Sequence, residues 1–248
     1  MSDSTTDAPL TPEAIRDRLL DAILPHVPFD GWSEAALRAA TADAGLDPAL
    51  SRAACPRGPV DLALAYHARG DAQMVARLRR EALSALRLRD RVAVAIRYRL
   101  EAAEEKDAVR RGATLFALPQ YAADGARAVW GTADLIWSTL GDDADDINWY
   151  TKRAILSGIY SSTVLYWLGD TSPGHQSTWA FLDRRIDDVM RFEQVKGAVS
   201  KNPLFRTAFA LPLWVMGQVR APMRPAEAPF EADMPGMHAA PSAPAEVR

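Results

Sequence analysis

Histidine, cysteine and carboxylate side chains are the groups in this chain from which catalytic or metal chemistry would be built. A di-metal site in a helical bundle needs Glu-x-x-His pairs, and the sequence contains none. Cys55 has no histidine close in sequence to activate its thiol, and neither a glycine-rich phosphate loop nor a Gly-x-Ser-x-Gly motif is present. The histidines lie far apart, at His26, His67, His175 and His238. We therefore predict no catalytic residue, no metal site and no cofactor.

An acidic cluster at residues 142–146 is the pattern closest to a metal site. An EF-hand calcium loop beginning at Asp142 requires glycine at its sixth position and glutamate at its twelfth. Those positions hold Ile147 and Arg153. Carboxylates ahead of a helix also stabilise its positive end, and Asp145 or Asp146 can serve as the cap. Helix capping therefore explains the cluster better than calcium binding does.

The segment after the cluster predicts a long helix, because no proline interrupts it from Trp149 to Trp167. Alternating steps of four and three residues place one set of side chains on a single stripe. Apolar residues on the neighbouring stripe widen the apolar surface beyond the ~100° of an ordinary surface helix. This helix is therefore either central to the fold or binds a partner with its second face. The residues of the first stripe are Trp149, Arg153, Leu156, Tyr160, Thr163 and Trp167.

A spaced set of uncommon residues runs from this helix into the next segment. It comprises Asn148, Trp149, Tyr150, Thr151, Arg153, Ala154, Leu156, Ile159, Tyr160, Asp170, Ser172, Pro173, Thr178, Trp179, Phe181, Leu182, Arg185 and Asp187. This set resembles the signature of the coenzyme Q biosynthesis protein nine family, accessory proteins of ubiquinone synthesis. The similarity extends more thinly back to about residue 13 and fades after about residue 197.

The resemblance implies a fold similar to that of TetR-type regulators, without repressor activity and without catalysis. It further implies that the protein binds an isoprenoid quinone precursor and presents it to the di-iron hydroxylase late in ubiquinone synthesis. A lipid-responsive TetR-like transcriptional regulator is the alternative, and an enzyme of unrecognised type is a third reading. We also expect a homodimer.

Composition indicates a soluble globular chain of 248 residues, with 48% hydrophobic and 25% charged residues. A formal charge of −3 argues against a general nucleic-acid surface, and a single cysteine suits a reducing compartment. The first ten residues lack the features of a signal or transit peptide, and no stretch reaches the ~20 apolar residues of a membrane span. These observations predict a cytoplasmic protein, peripheral on the inner face of a bacterial inner membrane.

Helix start and stop signals predict an all-α fold of about nine helices, since no segment alternates with period two. One long helix is expected from Pro59 to about Arg89. Residues 11–56 have the outline of a helix-turn-helix part. Its third helix has only one basic side chain that could contact DNA, Arg52, and it begins with the acidic Asp47. We therefore expect no nucleic-acid binding. The other predicted parts are a disordered lead (1–10), a helical lipid-binding part (57–198), a membrane-contacting amphipathic helix (202–218) and a disordered Pro/Ala-rich tail (219–248).

Three sets of residues are predicted to bind a ligand, a partner or the membrane. Small residues alternate with very large ones in 122–140, which can open a lipid cavity, although ordinary interdigitated packing gives the same pattern. The predicted lipid-binding residues are Leu115, Leu118, Trp130, Leu135, Trp137 and Trp149. The resemblance implies that Ile155, Leu156, Tyr160 and Trp179 form an exposed apolar patch that binds the hydroxylase.

The third set belongs to the segment 202–218, which is apolar and has basic neighbours. Its membrane-contacting residues are predicted to be Leu204, Phe205, Phe209 and Trp214, the last of a type that settles at the headgroup boundary. The alternative is that this segment packs on its own domain or on a second copy of the chain.

Overall fold

A computed structural model describes residues 11–103, 105–142 and 147–200 of the chain. The first helices are α1 (Pro12–Ile23), α2 (Val27–Asp30), α3 (Glu34–Asp43) and α4 (Pro48–Ala54). They are followed by α5 (Pro59–Arg80), α6 (Leu88–Glu101), α7 (Lys106–Phe116), α8 (Ala122–Thr139), α9 (Ile147–Gly169) and α10 (Gln176–Ser200). Short 3-10 turns occupy Leu83–Ala85 and Pro173–His175. The described ranges contain no strand, which confirms the all-α prediction.

Polar caps begin the helices near the N-terminus. The side chains of Thr11, Ser33 and Asp47 accept hydrogen bonds from backbone N–H groups two or three residues later, at 3.2, 3.2 and 2.6 Å. A proline at the start of α1, α4 and α5 removes no hydrogen bond, because the first N–H groups of a helix have no partner within the helix. Helices α1, α3, α4 and α5 therefore begin where the sequence has helix-start signals.

Helices α1, α3 and α4 pack on one another and on the start of α5 around a first core. Leu19, Leu20 and Ile23 of α1 are wholly buried in it. Arg16 also holds α1 to the end of α4 by donating to the Ala54 carbonyl at 2.9 and 3.2 Å. The three helices of the predicted helix-turn-helix outline are thus present, while the division of the chain into separate parts stays a prediction.

The single helix predicted from 59 to about 89 is wrong, because α5 ends at Arg80 and a second helix, α6, begins at Leu88. Glu81 leaves the helical conformation, with φ −101° and ψ 139°. The chain then reverses so that α6 packs back along α5, and Arg77 of α5 meets Glu101 of α6 at 2.7 Å. Periodicity gives no sign of this break, since both halves carry apolar residues at helical spacing.

A second core lies between α5, α6, α8, α9 and α10, with α9 at its centre. Every residue of the stripe from Trp149 to Trp167 is buried, and none is more than 8% exposed. The interpretation of this helix as central is therefore confirmed.

Several predicted features lie outside the described residues. They are the segments 1–10, 202–218 and 219–248, the possible caps Asp145 and Asp146, and the proposed membrane-contacting residues Leu204, Phe205, Phe209 and Trp214.

Candidate functional site

A cavity of about 680 Å³ lies among helices α5 to α9. Its volume falls within the range of roughly 300–1,000 Å³ that is typical of small-molecule sites. Many of the wall residues are alanine or glycine, which leave space between the helices. Gly125 also lets α8 approach α7 closely, because a Cβ there would come within 2.7 Å of the Phe116 Cβ. The segment 122–140, which was predicted to open a cavity, does line one through residues between Ala122 and Trp130.

The cavity has an exposed rim and a buried inner end. Leu165 lies at the rim and is 66% exposed, and the lining residues Ala113 and Ala126 are also exposed. Leu100, Arg99 and Tyr160 line the inner end and are at most 5% exposed. An apolar molecule can therefore enter from one side and reach buried groups at the other.

A polar network joins α5, α6 and α8 at the inner end. The Arg99 Nε donates to Asp71 Oδ1 at 2.6 Å, and Nη2 donates to the His67 carbonyl at 2.9 Å. The Thr132 hydroxyl donates to the same carboxylate, 2.9 Å from Oδ1. Because its proton is directed to Asp71, the Thr132 oxygen accepts from His67 Nε2, 2.8 Å away. The network thus pairs its charges internally.

Titration of two groups at this end is set by burial. The pKa of His67 is lowered to about 4, mainly by burial and next by the positive charge of Arg99, which outweighs the opposite effect of Asp71. Burial likewise raises the pKa of the Tyr160 hydroxyl. At neutral pH, therefore, His67 is uncharged and Tyr160 keeps its proton as a hydrogen-bond donor.

Of the six predicted lipid-binding residues, only Trp130 lines the cavity. Leu118 and Leu135 are on the surface, 42% and 39% exposed, and Leu115 packs against the first core. The prediction that these three leucines line the cavity is therefore wrong. Helical spacing places them on one side of their helices, but the neighbouring helix decides whether that side meets the cavity, the core or solvent.

The two other predicted tryptophans are also outside the cavity wall. Trp137 donates from its ring nitrogen to the Lys152 carbonyl at 3.1 Å, which fixes α8 to α9. Trp149 packs on Trp130 and lies under Arg153, whose guanidinium carbon is 4.0 Å from the ring centroid. Both residues therefore hold helices together, and their prediction as cavity residues is wrong.

The predicted exposed patch does not form as described. Leu156 is 1% exposed within the second core, and Tyr160 lines the cavity. Ile155 and Trp179 are half-buried. A spacing of four residues shows that Leu156 and Tyr160 share a face of α9, but not which way that face points. The role of all four residues in binding a partner stays a prediction.

Sequence analysis missed the residues of the polar network. His67 and Asp71 stand four apart on α5, which places them on one face and was a usable signal. Arg99 could not be distinguished from its exposed neighbour Arg97, because its burial depends on the packing of α6 against α5.

The described residues hold no cluster of three or more histidine, cysteine, aspartate or glutamate side chains able to bind a metal ion. Within the same residues, no helix combines the length and apolar character needed to cross a bilayer.

The arrangement of the helices defines a fold class. The fold is that of TetR-type regulators, since the chain is similar to a TetR transcriptional regulator from Nitrosomonas europaea with a TM-score of 0.59. That match covers 70% of this chain and 96% of the regulator at 18% identity, so it shows the fold alone.

Sequence comparison shows similarity to one family. The COQ9 family model matches residues 122–193, which span α8, α9 and most of the described part of α10. The chain is 33% identical over 191 residues to "Ubiquinone biosynthesis protein COQ9, mitochondrial" of Drosophila melanogaster, covering 74% of this chain and 57% of the relative. The Rattus norvegicus protein of that name is 32% identical over 189 residues, covering 72% and 59%. The resemblance to the COQ9 family is therefore confirmed, and the chain spans less than two thirds of the length of these relatives.

The names of these relatives contradict one prediction. They are mitochondrial proteins by name, in conflict with a location on the inner face of a bacterial inner membrane. A single cysteine is compatible with any reducing compartment, and a modest negative charge does not distinguish one compartment from another. The composition of the first ten residues describes only those residues. None of these observations could identify the compartment.

Proposed function

We propose that this protein is a non-enzymatic, lipid-binding accessory protein of ubiquinone biosynthesis. In this proposal it binds an isoprenoid quinone precursor in the cavity and presents it to the di-iron demethoxyubiquinone hydroxylase at the membrane. The observation that carries the proposal is an apolar cavity of about 680 Å³, about half of whose lining residues belong to the segment similar to COQ9. Transfer of apolar surface out of water is favourable by ~25 cal/mol per Å², so burial of an isoprenoid tail in the cavity is strongly favoured.

The arrangement of the polar network supports a non-catalytic role. Thr132, His67 and Asp71 superficially suggest a nucleophile, a base and an orienting acid, in that order. However, the Thr132 hydroxyl donates to Asp71 instead of to His67, and Thr132 is wholly buried and does not line the cavity. A substrate in the cavity therefore has no access to this hydroxyl.

Lipid binding is tested by narrowing the cavity at its rim. Ala126 is exposed and lines the cavity, so Ala126→Trp adds bulk to the cavity without overpacking a core. We expect the wild-type chain to bind a short-chain prenylated benzoquinone saturably, measured by quenching of tryptophan fluorescence. The substitution should weaken binding at least roughly tenfold, equivalent to ~1.4 kcal/mol.

Ala123→Trp is the matched control, because Ala123 is exposed on the same helix and does not line the cavity. It should leave the affinity unchanged. Absence of saturable binding by the wild type, or equal affinity of the two variants, would contradict the proposed cavity function.

Presentation to the hydroxylase is proposed to use Ile155 and Trp179, which are half-buried. Trp179→Ala should weaken capture of the purified hydroxylase, since aromatic anchors at interface centres typically contribute ~2 kcal/mol or more. Leu50→Ala is the control, because Leu50 is an exposed leucine on α4, 49% exposed. Equal capture by wild type and Trp179→Ala would remove this residue from the interface.

Membrane contact is proposed for residues 202–218 and is tested by flotation on anionic vesicles. A chain ending at residue 200 should float less than the full chain. Equal flotation would refute the membrane role, and a lower melting temperature of the shorter chain would indicate packing on the protein itself. Light scattering of the full chain tests the expected homodimer.

The structural similarity to a TetR regulator favours one alternative, a lipid-responsive transcriptional regulator. Against it, the exposed residues of α4 include a single cation, Arg52, beside the exposed Leu50. A recognition helix needs side chains that reach base edges and others that bind phosphates. A gel-shift titration against the protein's own promoter at stated salt tests this, and a specific shift would favour the regulator.

A further inference from the structure

Two hydroxyl groups without partners face the cavity from α9. Tyr160 lines the inner end and is 4% exposed, and its hydroxyl makes no hydrogen bond within the described part of the chain. Ser157, three residues earlier, also lines the cavity, and its buried Oγ has no partner among the same residues. Residues three apart share a helix face. Because buried polar groups are normally hydrogen-bonded, a pair of free hydroxyls on one face indicates a ligand atom that accepts from them.

The charges around these hydroxyls limit what that atom can be. The Arg99 guanidinium carbon lies 5.9 Å from the Tyr160 ring centroid, but Asp71 already pairs with this arginine at 2.6 Å. His67 is uncharged at neutral pH. The inner end therefore has no net charge, and the rest of the wall is largely apolar. An anionic head group would bring an uncompensated charge into this environment, whereas an uncharged oxygen would not.

We propose that Tyr160 and Ser157 bind the uncharged, oxygen-bearing end of the cavity's lipid, such as a ketone or quinone carbonyl. The inference rests on the proposed function and adds the class of head group, its orientation and the exclusion of fatty-acid anions. The hydrocarbon tail lies toward the rim at Leu165. Since a cavity of this size holds a drug-sized molecule, a longer tail continues past the rim. Transfer of the head group to an enzyme then requires the lipid to slide outward.

The test uses the full chain and three probes of equal chain length in equilibrium dialysis: pentadecane, 2-pentadecanone and pentadecanoate. We expect 2-pentadecanone to bind more tightly than both other probes at neutral pH. Tyr160→Phe keeps the ring in place and removes only the hydroxyl. It should weaken 2-pentadecanone binding roughly tenfold, the scale of one hydrogen bond, and leave pentadecane binding unchanged. Ser157→Ala should give a smaller loss of the same kind.

Tyr166→Phe is the matched control, since Tyr166 lies on the same helix, is 40% exposed and does not line the cavity. Equal binding of ketone and alkane, or an unchanged ketone affinity in Tyr160→Phe, would overturn the head-group assignment and leave the lipid cavity standing. Tighter binding of pentadecanoate than of the ketone would overturn it as well. Failure of all three probes to bind would overturn the proposed function together with this inference.

Discussion

Replacement of Gly70 by alanine should destabilise this protein, although the same change in most helices stabilises them. Gly70 lies within α5, where alanine is ordinarily favoured by ~1 kcal/mol. A Cβ at this position, however, would lie 2.5 Å from Arg99 Nη1 and 2.8 Å from Cζ. A guanidinium usually moves aside easily, but this one is 5% exposed and held by Asp71 and the His67 carbonyl.

The size of the effect follows from these opposing contributions. Displacing a buried ion pair costs ~3–5 kcal/mol, from which the ~1 kcal/mol gain in helix propensity is subtracted. Gly70→Ala should therefore lower the free energy of unfolding by roughly 2–4 kcal/mol. For a chain of this size that corresponds to a fall in melting temperature of roughly 4–16 °C.

Urea unfolding followed by circular dichroism measures this difference through the midpoint at unchanged slope. Gly131→Ala on α8 is the control, because a Cβ there meets no atom within 4 Å, and it should be neutral or stabilising by up to ~1 kcal/mol. In an Arg99→Met background, Gly70→Ala should cost little more, since the obstructing guanidinium is gone. Equal or higher stability of Gly70→Ala than of wild type would show that the Arg99 guanidinium moves aside without cost.

Two further predictions concern buried charges. The pKa of His67 is about 4 in the folded chain and 6.5 in the reference state, so the unfolded chain binds more protons between these values. Stability should therefore fall by up to about 3 kcal/mol as the pH drops from about 6.5 to about 4, and His67→Gln should flatten this part of a melting-temperature profile. Arg153 is wholly buried and pairs with Asp134 at 2.6 Å and Asp142 at 3.1 Å. Arg153→Met should cost ~3–5 kcal/mol in urea unfolding, because it removes a wholly buried cation from both carboxylates, although Lys152 still pairs with Asp142.

Each of these two predictions would be contradicted by a specific result. Retention of the wild-type pH profile by His67→Gln would show that another group titrates in this window. For Arg153, the control is Arg185→Met, since the pair of Arg185 with Asp188 is exposed and such pairs contribute only ~0–1 kcal/mol. Similar losses from both arginine substitutions would show that burial does not determine the cost.

Part of the signature that carries the family resemblance has a structural role. Asp170 accepts hydrogen bonds from the Ser172 N–H at 2.8 Å and from the Thr178 hydroxyl at 2.6 Å, which joins the end of α9 to the start of α10. These bonds, that of Thr178 first, lower the pKa of Asp170. The resemblance to the COQ9 family therefore rests in part on residues that hold two helices together, and such residues do not identify a binding surface.

Local chemistry in the sequence determined the helical class, the capped starts of α1, α3 and α4, and the set of residues that share one stripe of α9. Such features depend on neighbours within one turn, and the sequence contains those neighbours. Tertiary structure alone decided that Tyr160 faces a cavity, that Arg99 is buried beside Gly70, and that α5 ends at Arg80. The physical reason is that helical spacing shows which side chains share a face, whereas the packing of other helices decides whether that face meets core, cavity or solvent.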